Sequence, residues 1–276
     1  MAISNFISTV WSEALTRQLD SKYVAVANCN RDYDGEIVGK GSTVKVCSVG
    51  DVTISDYTKN TDMTAPQALS DSAATITISQ AKSFNFQIDD IDRAQSSPKL
   101  MEMAMAKAAS ALANVADKYV FSLCTEATSA NTITETALTS SNIIDTIVAA
   151  REKLLANGVP GSEPTVLEVT PSVAALIMKA KILQGTENAE ALSNGCIGNF
   201  IGFEVFVSPN IVTDSSSGNM QCFARTKRAI AFAKQINKVE AYRPEARFAD
   251  AVKGLHLYGA KVIYPDEFVL LSVKAS

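Results

Sequence analysis

The stretch that most restricts the fold of this chain is the apolar stripe following Ser97-Pro98. Leu100, Ala104, Ala108, Ala111, Leu112, Val115, Tyr119 and Leu123 recur at spacings of three and four, which marks one face of an α-helix. Ser97 serves as N-cap and Pro98 falls in the first turn, where its missing N–H leaves no bond unmade. Unbroken to Cys124, such a helix is about 40 Å long. That is more face than one small core covers, and the stripe is rich in alanine, so other backbone can come close. The sequence predicts a spine.

Ahead of the spine, from Tyr23 to Ile91, the period changes to two. Val44 and Val46, Val52 and Ile54, and Ile76 and Ile78 alternate with Thr, Lys or Ser, and Phe84, Phe86 and Ile88 alternate with Ser83, Asn85 and Gln87. Such alternation predicts strands with one apolar face. Turn signals stand at Asp34-Gly35, Gly39-Lys40-Gly41 and Val49-Gly50-Asp51, and a polar connection with Pro66 runs from Tyr57 to Ser72. The region reads as long antiparallel ribbons. A two-stranded ribbon is marginal alone in water, and no partner for its apolar side is evident within the chain. The first residues pose the same question. Phe6, Ile7, Val10, Trp11, Ala14, Leu15 and Leu19 form an amphipathic helical stripe carrying the only tryptophan. With no basic n-region and an interrupted apolar run, it is not a signal peptide.

Beyond the spine, Thr125–Thr139 reads as polar linker. A helix follows, capped near Ser141, carrying Ile144, Ile147, Val148, Leu154 and Leu155 and closed by Asn157-Gly158. Thr165–Val169 is a strand, Thr170-Pro171 opens a helix to about Leu183, and Phe203–Val207 is a strand. Asp214–Asn219 is an exposed loop. Residues 140–235 thus form an α/β unit. Strands at Val239–Tyr242, Leu255–Tyr258, Val262–Tyr264 and Phe268–Val273 end the chain.

The chemistry-bearing residues argue against catalysis. Net charge is −4 over 276 residues, unlike a protein whose task is gripping phosphates. Five scattered cysteines without CxxC spacing give neither a disulfide framework nor a zinc site. Asn30-Arg31-Asp32-Tyr33-Asp34-Gly35 begins like a calcium loop, but Gly41 stands where a bidentate Glu is required; a turn is the better reading. Gly35–Ser42 fails as a Walker A loop, because its glycine spacing is one residue short and Lys40 precedes Gly41. Asp89-Asp90-Ile91-Asp92 splits its carboxylates between two strand faces and reads as a solvated acidic cluster before a helix. His256, the only histidine, has no nucleophile context around it and is read as structural. Arg225-Thr226-Lys227-Arg228 reads as an exposed strand-to-helix edge or a charged contact with a neighbour. No apolar run is long enough to span a bilayer, so no membrane partner is expected. No catalytic, cofactor-binding or metal residue is assigned.

Several segments in order resemble the major capsid proteins of tailed bacteriophages. They are Asn5-Phe6-Ile7 with Val10-Trp11-Ser12, Asn30-Arg31-Asp32-Tyr33, and Gly41-Ser42-Thr43-Val44-Lys45-Val46. Gly50-Asp51-Val52, Asp56-Tyr57, Phe84–Asp90 and Ala116-Asp117-Lys118-Tyr119 follow. Gln235-Ile236, Val239–Arg243 and Tyr258–Val262 complete the series. The resemblance spans nearly the whole chain. It implies an α+β, HK97-like capsid fold, named after phage Hong Kong 97. In that fold residues 1–30 are an N-terminal arm and 31–92 an extended β-hairpin loop with its strand base. Residues 93–135 hold the spine helix and peripheral domain, 136–235 an α/β axial domain, and 236–276 strands returning to the peripheral domain.

The implied function is a non-enzymatic coat protein that self-assembles into an icosahedral or prolate head. Arm and loop are covered by neighbours, which makes Phe6, Trp11, Val52, Ile54, Tyr57 and Lys59 the candidate subunit-interface residues. Implied partners are further copies of the chain, a separate scaffolding protein (none is fused ahead of the arm), a portal protein, and packaged double-stranded DNA in non-specific proximity. The place is the virion capsid, assembled in the host cytoplasm. Lys40 and Lys59 lie where some members crosslink, but no acceptor motif accompanies them. An encapsulin-like nanocompartment shell is the nearest alternative; a hydrolase using His256 and a β-rich tail protein are alternatives of other classes.

Overall fold

The computed structural model describes residues 15, 18–19, 22–34, 41–49, 54, 56–57, 59–60, 62, 71–89, 100–183, 198–246 and 248–275. The Ser97-Pro98 cap and most of the arm stripe lie outside them.

Strands β1 (Thr43–Val49) and β2 (Asp71–Thr77) form the expected antiparallel ribbon, with Thr43 opposite Thr77 and Val49 opposite Asp71. Alternation places Val44, Val46 and Ile76 on one face, with Ile78 just beyond. That face is covered, which corrects the expectation of a ribbon without a partner in its own chain. Ala231, Ala233 and Leu257 lie against it and all four residues are buried. Two alanines spaced two apart in a strand give no sign in the sequence that they form a docking surface.

Three strands make the sheet beneath: β3 (Gln80–Asp89), then, far along the chain, β9 (Ile230–Tyr242) and β10 (Ala249–Val262), in antiparallel order β3-β10-β9. The last two are longer than the pattern suggested; in β10, Gly254 and Gly259 interrupt the apolar alternation. At Gly254 the ring of Phe84 fills the place of a side chain; a Cβ there would lie 2.4 Å from it. The second sheet has the order β4-β11-β8-β5-β7-β6. Its members are β4 (Thr132–Leu138), β5 (Thr165–Val169), β6 (Asn199–Phe200), β7 (Phe203–Val207), β8 (Met220–Thr226) and β11 (Phe268–Ala275). Strand β4 occupies part of the stretch expected to be linker. Its Thr-Ile-Thr-Glu-Thr run is rich in β-branched residues, which suit a half-exposed edge.

Helix α1 (Leu100–Ser122) is the expected spine, 23 residues and about 35 Å long. Its buried stripe is rotated from the expected one. Met105, Ala109, Leu112, Ala113, Ala116, Val120 and Phe121 face inward, while Ala111 and Val115 are exposed. Asp117 lies on that inward face and is buried with it. The far end of α1 joins the two sheets through rings. Phe121 lies 5.4 Å from Phe223 of β8, which stands edge-on to Phe268 of β11 at 4.8 Å. Tyr119 meets Tyr258 of β10 edge-on at 5.6 Å. Helices α2 (Ile143–Ala156) and α3 (Pro171–Leu183) follow as expected, α2 packing on β8 and β11 and ending at Gly158 with φ +85°. Leu15 and Leu19, the last of the arm stripe, are buried in the main core, so that end of the arm also has its cover within the chain.

Candidate subunit interface

A buried polar cluster lies beneath residues 24–29. Asp117 of α1 accepts three backbone N–H bonds, from Val24 at 3.0 Å and from Ala25 and Val26 at 3.1 Å. Burial pushes its carboxyl up to about 6, against the pull of those donors. On the other side Arg225 of β8 holds Glu168 of β5 in a two-pronged pair, Nε to Oε2 at 3.1 Å and Nη2 to Oε1 at 2.9 Å. Both side chains are fully buried. Arg225 also donates to the carbonyls of Asn28 at 2.6 Å and Ala25 at 3.3 Å, and Asn28 Nδ2 donates to Glu168 at 3.3 Å. Burial pushes the Glu168 carboxyl up, and the adjoining guanidinium works against it. The segment is therefore gripped by its N–H groups from the spine and by its carbonyls from the sheet.

This cluster corrects the reading of the basic stretch. Residues 225–228 run from a strand through a turn into another strand, and Arg225 is 0% exposed. Only its neighbours stand near the surface, Lys227 pairing with Glu204 at 3.3 Å and Arg228 with Glu267 at 2.6 Å. The missed signal was Glu168. A single carboxylate inside the fully buried run Thr165-Val166-Leu167-Glu168-Val169 requires a buried cation.

Residues 30–34 continue the anchor. Asn30 bridges to Ala231 of β9, Asn30 Oδ1 accepts from the Asp32 N–H at 2.9 Å, and Arg31 pairs with Asp34 at 3.0 Å. The second Asp34 oxygen accepts the Lys234 N–H at 3.0 Å. The carboxylate considered for calcium thus closes a turn and pins it to β9. Among the described residues no group of three His, Cys, Asp or Glu side chains is placed to hold a metal. Cys29 and Cys222 are buried free thiols, each pushed up to about 12 by burial.

His256 sits in β10 at the irregularity between Leu255 and His256, 1% exposed. Its ring lies 4.9 Å from that of Tyr258, and neither nitrogen has a hydrogen-bond partner among the described residues. Among the described residues no carboxylate orients it and no hydroxyl is bonded to it, as a general base needs. Burial holds the imidazole down to about 4, and the charge of Lys234 adds to this. An unfolded imidazole titrates near 6.5, so between those values the unfolded chain binds a proton that the folded chain refuses. The stability this group contributes is full above about pH 6.5 and is lost as pH falls through about 4, about 3 kcal/mol in all. Urea midpoints measured over that range should fall less steeply for His256→Phe than for the parent; an unchanged acid slope would assign the loss to other groups.

At the surface, two of the candidate residues stand fully out. Ile54 is 92% exposed and Tyr57 75% exposed, in the connection between β1 and β2, with exposed Lys59 beside them. Phe6, Trp11 and Val52 lie outside the described residues. Phe248, 81% exposed between β9 and β10, is an exposed aromatic that the sequence reading did not select.

The sequence profile of the family described as "Phage capsid protein" matches residues 71–271. The chain belongs to that family. No curated protein matches it by sequence. Among solved structures, a chain from Mycobacterium phage Che8 is 30% identical with TM-score 0.69, and the match covers 90% of each chain. The capsid of Cyanophage P-SCSP1u shares the fold at 16% identity, TM-score 0.69, with 92% and 90% covered. So does the capsid of the native GTA particle at 13% identity, TM-score 0.63, with 91% and 90% covered. The protein is a major capsid protein with the HK97-like α+β fold, a shell subunit whose copies assemble. The encapsulin-like alternative gains no support from these matches.

Proposed function

We propose that the ribbon connection and the N-terminal arm are the parts through which this capsid protein holds its neighbours. One observation carries the reading. The ribbon's apolar face is buried on its own body at the base, whereas Ile54 and Tyr57 lie bare in the connection between its strands. Two large apolar side chains three residues apart, both almost wholly solvated, are poorly placed for a monomer and well placed for a contact between copies. Lys59 would add a charged rim to that contact, and Phe6, Trp11 and Val52 complete the set. The arm is residues 1–30, the loop with its base 31–92, the spine and peripheral domain 93–135, the axial domain 136–235, and the returning strands 236–276.

The remaining partners follow from the role. A separate scaffolding protein guides assembly in the host cytoplasm, a portal protein occupies one vertex, and double-stranded DNA lies inside without a specific contact. With net charge −4, affinity of the free subunit for DNA should be weak and strongly salt-dependent. No reaction is assigned to the chain. Sedimentation of the purified protein, alone and with the scaffolding protein of its phage, is expected to show capsomers or shells. A monomer under every such condition would contradict the reading.

A further inference from the structure

The ribbon meets the body at one unusually close crossing. Gly259 lies within β10, opposite Ala233 of β9. A Cβ at Gly259 would fall 2.4 Å from the Thr77 carbonyl oxygen and 3.1 Å from both Thr77 C and Ile78 Cα. A Cβ 2.4 Å from an oxygen does not occur in a packed interior, and here the neighbour is backbone, which cannot swing aside as a side chain can. Thr77 is the last residue of β2. Ile78 is tied to the start of the other strand, donating to Ser42 O at 3.0 Å and accepting from the Gly41 N–H at 3.0 Å. Two residues later Gln80 opens β3 opposite Tyr258. The chain therefore leaves the ribbon and enters the sheet directly over Gly259.

The rest of the described footprint is made by side chains. Ala231, Ala233 and Leu257 meet Val44, Val46, Ile76 and Ile78 in a cluster separate from the main core. Side chains around this bed, among them Leu257, Tyr33, Leu255 and Ile263, can repack, whereas the backbone at the closest crossing cannot.

We infer that Gly259 is a positioning residue: by admitting the Thr77 backbone against β10, it sets the height and tilt at which the ribbon leaves the body. It thereby sets where Ile54 and Tyr57 are presented; this consequence for assembly rests on the interface role proposed above, whereas the positioning itself does not. Moving the crossing to ordinary contact needs a rise of about 1 Å.

The test uses the full chain with Cys47, Cys124 and Cys196 replaced by serine and spin labels at Lys59→Cys and Lys118→Cys, the latter on the exposed side of α1. Double electron–electron resonance on the unassembled subunit reads the distance between ribbon and body. Gly259→Ala is expected to shift or broaden that distance. Gly254→Ala, whose Cβ would meet only the movable ring of Phe84, is expected to leave it unchanged while lowering stability. An unaltered distance in a cooperatively melting Gly259→Ala protein overturns the inference. Should that variant not fold, Ala233→Val raises the same bed with a side chain, and an unaltered distance there overturns it equally. A shifted distance together with normal shells would uphold the positioning role and refute the interface role of the ribbon.

Discussion

Replacing Arg225 by methionine is expected to cost about 3–5 kcal/mol, because it leaves the Glu168 carboxylate buried without its cation. The size follows from what remains. Glu168 is 0% exposed and would retain only the 3.3 Å bond from Asn28, while the Asn28 carbonyl would lose the Arg225 donor and the Ala25 carbonyl would keep the Asn28 N–H at 3.1 Å. A surface arginine costs a fraction of this on removal. The double replacement Arg225→Met with Glu168→Leu removes both charges and should regain most of the loss, since two apolar side chains of similar volume fill the space without an unpaired ion. Urea unfolding of the four proteins in the cycle measures the coupling directly. Hydrogen exchange adds the location: the amides of residues 24–28 should lose protection first, because the cluster grips that segment through its backbone. A loss below about 1 kcal/mol for Arg225→Met would mean that water reaches Glu168 and that the anchor is not as closed as described.

The second large effect is on assembly with almost none on the fold. Ile54→Asp combined with Tyr57→Asp is expected to abolish shells while shifting the subunit's stability by no more than about 0.5 kcal/mol. In the single chain these side chains are 92% and 75% exposed, so charge there meets water and little else. Between copies each carboxylate would have to be desolvated, and the cost recurs at every equivalent contact of a symmetric shell. Melting by circular dichroism and particle yield separate the two consequences. Lost stability with normal shells would show that these residues serve their own chain.

Much of the architecture could be read from periodicity. The alternation at Val44, Val46 and Ile76 gave the ribbon, the three-and-four spacing gave α1, and Thr170-Pro171 marked the start of α3. What could not be read turns on single residues whose type misleads. The apolar stripe read for α1 passes Asp117 by, yet Asp117 is buried with Ala113, Ala116 and Val120. Arg225 was taken for surface because two more basic positions follow it, although its partner Glu168 lies 57 residues away in sequence. The ribbon's cover is two alanines and a leucine whose types match ordinary core. Gly254 and Gly259 broke an alternation that the backbone continues through. In each case the deciding fact is a contact distant in sequence, which no local pattern encodes. Tyr57 and Lys59 could be located in a polar connection and Ile54 in the alternation before it, but that alternation would equally have allowed Ile54 to be buried, whereas it is 92% exposed.

The account stands most directly on how the ribbon lies in an assembled particle. Electron cryomicroscopy of particles assembled from this chain, with its phage's scaffolding protein where required, reads this at side-chain level. The predicted result is a closed shell in which Ile54 and Tyr57 of each subunit are covered by an adjacent copy, with residues 24–29 still seated on Asp117 and Arg225. Open fibres or tubes, or a shell in which Ile54 and Tyr57 remain in solvent, would contradict it.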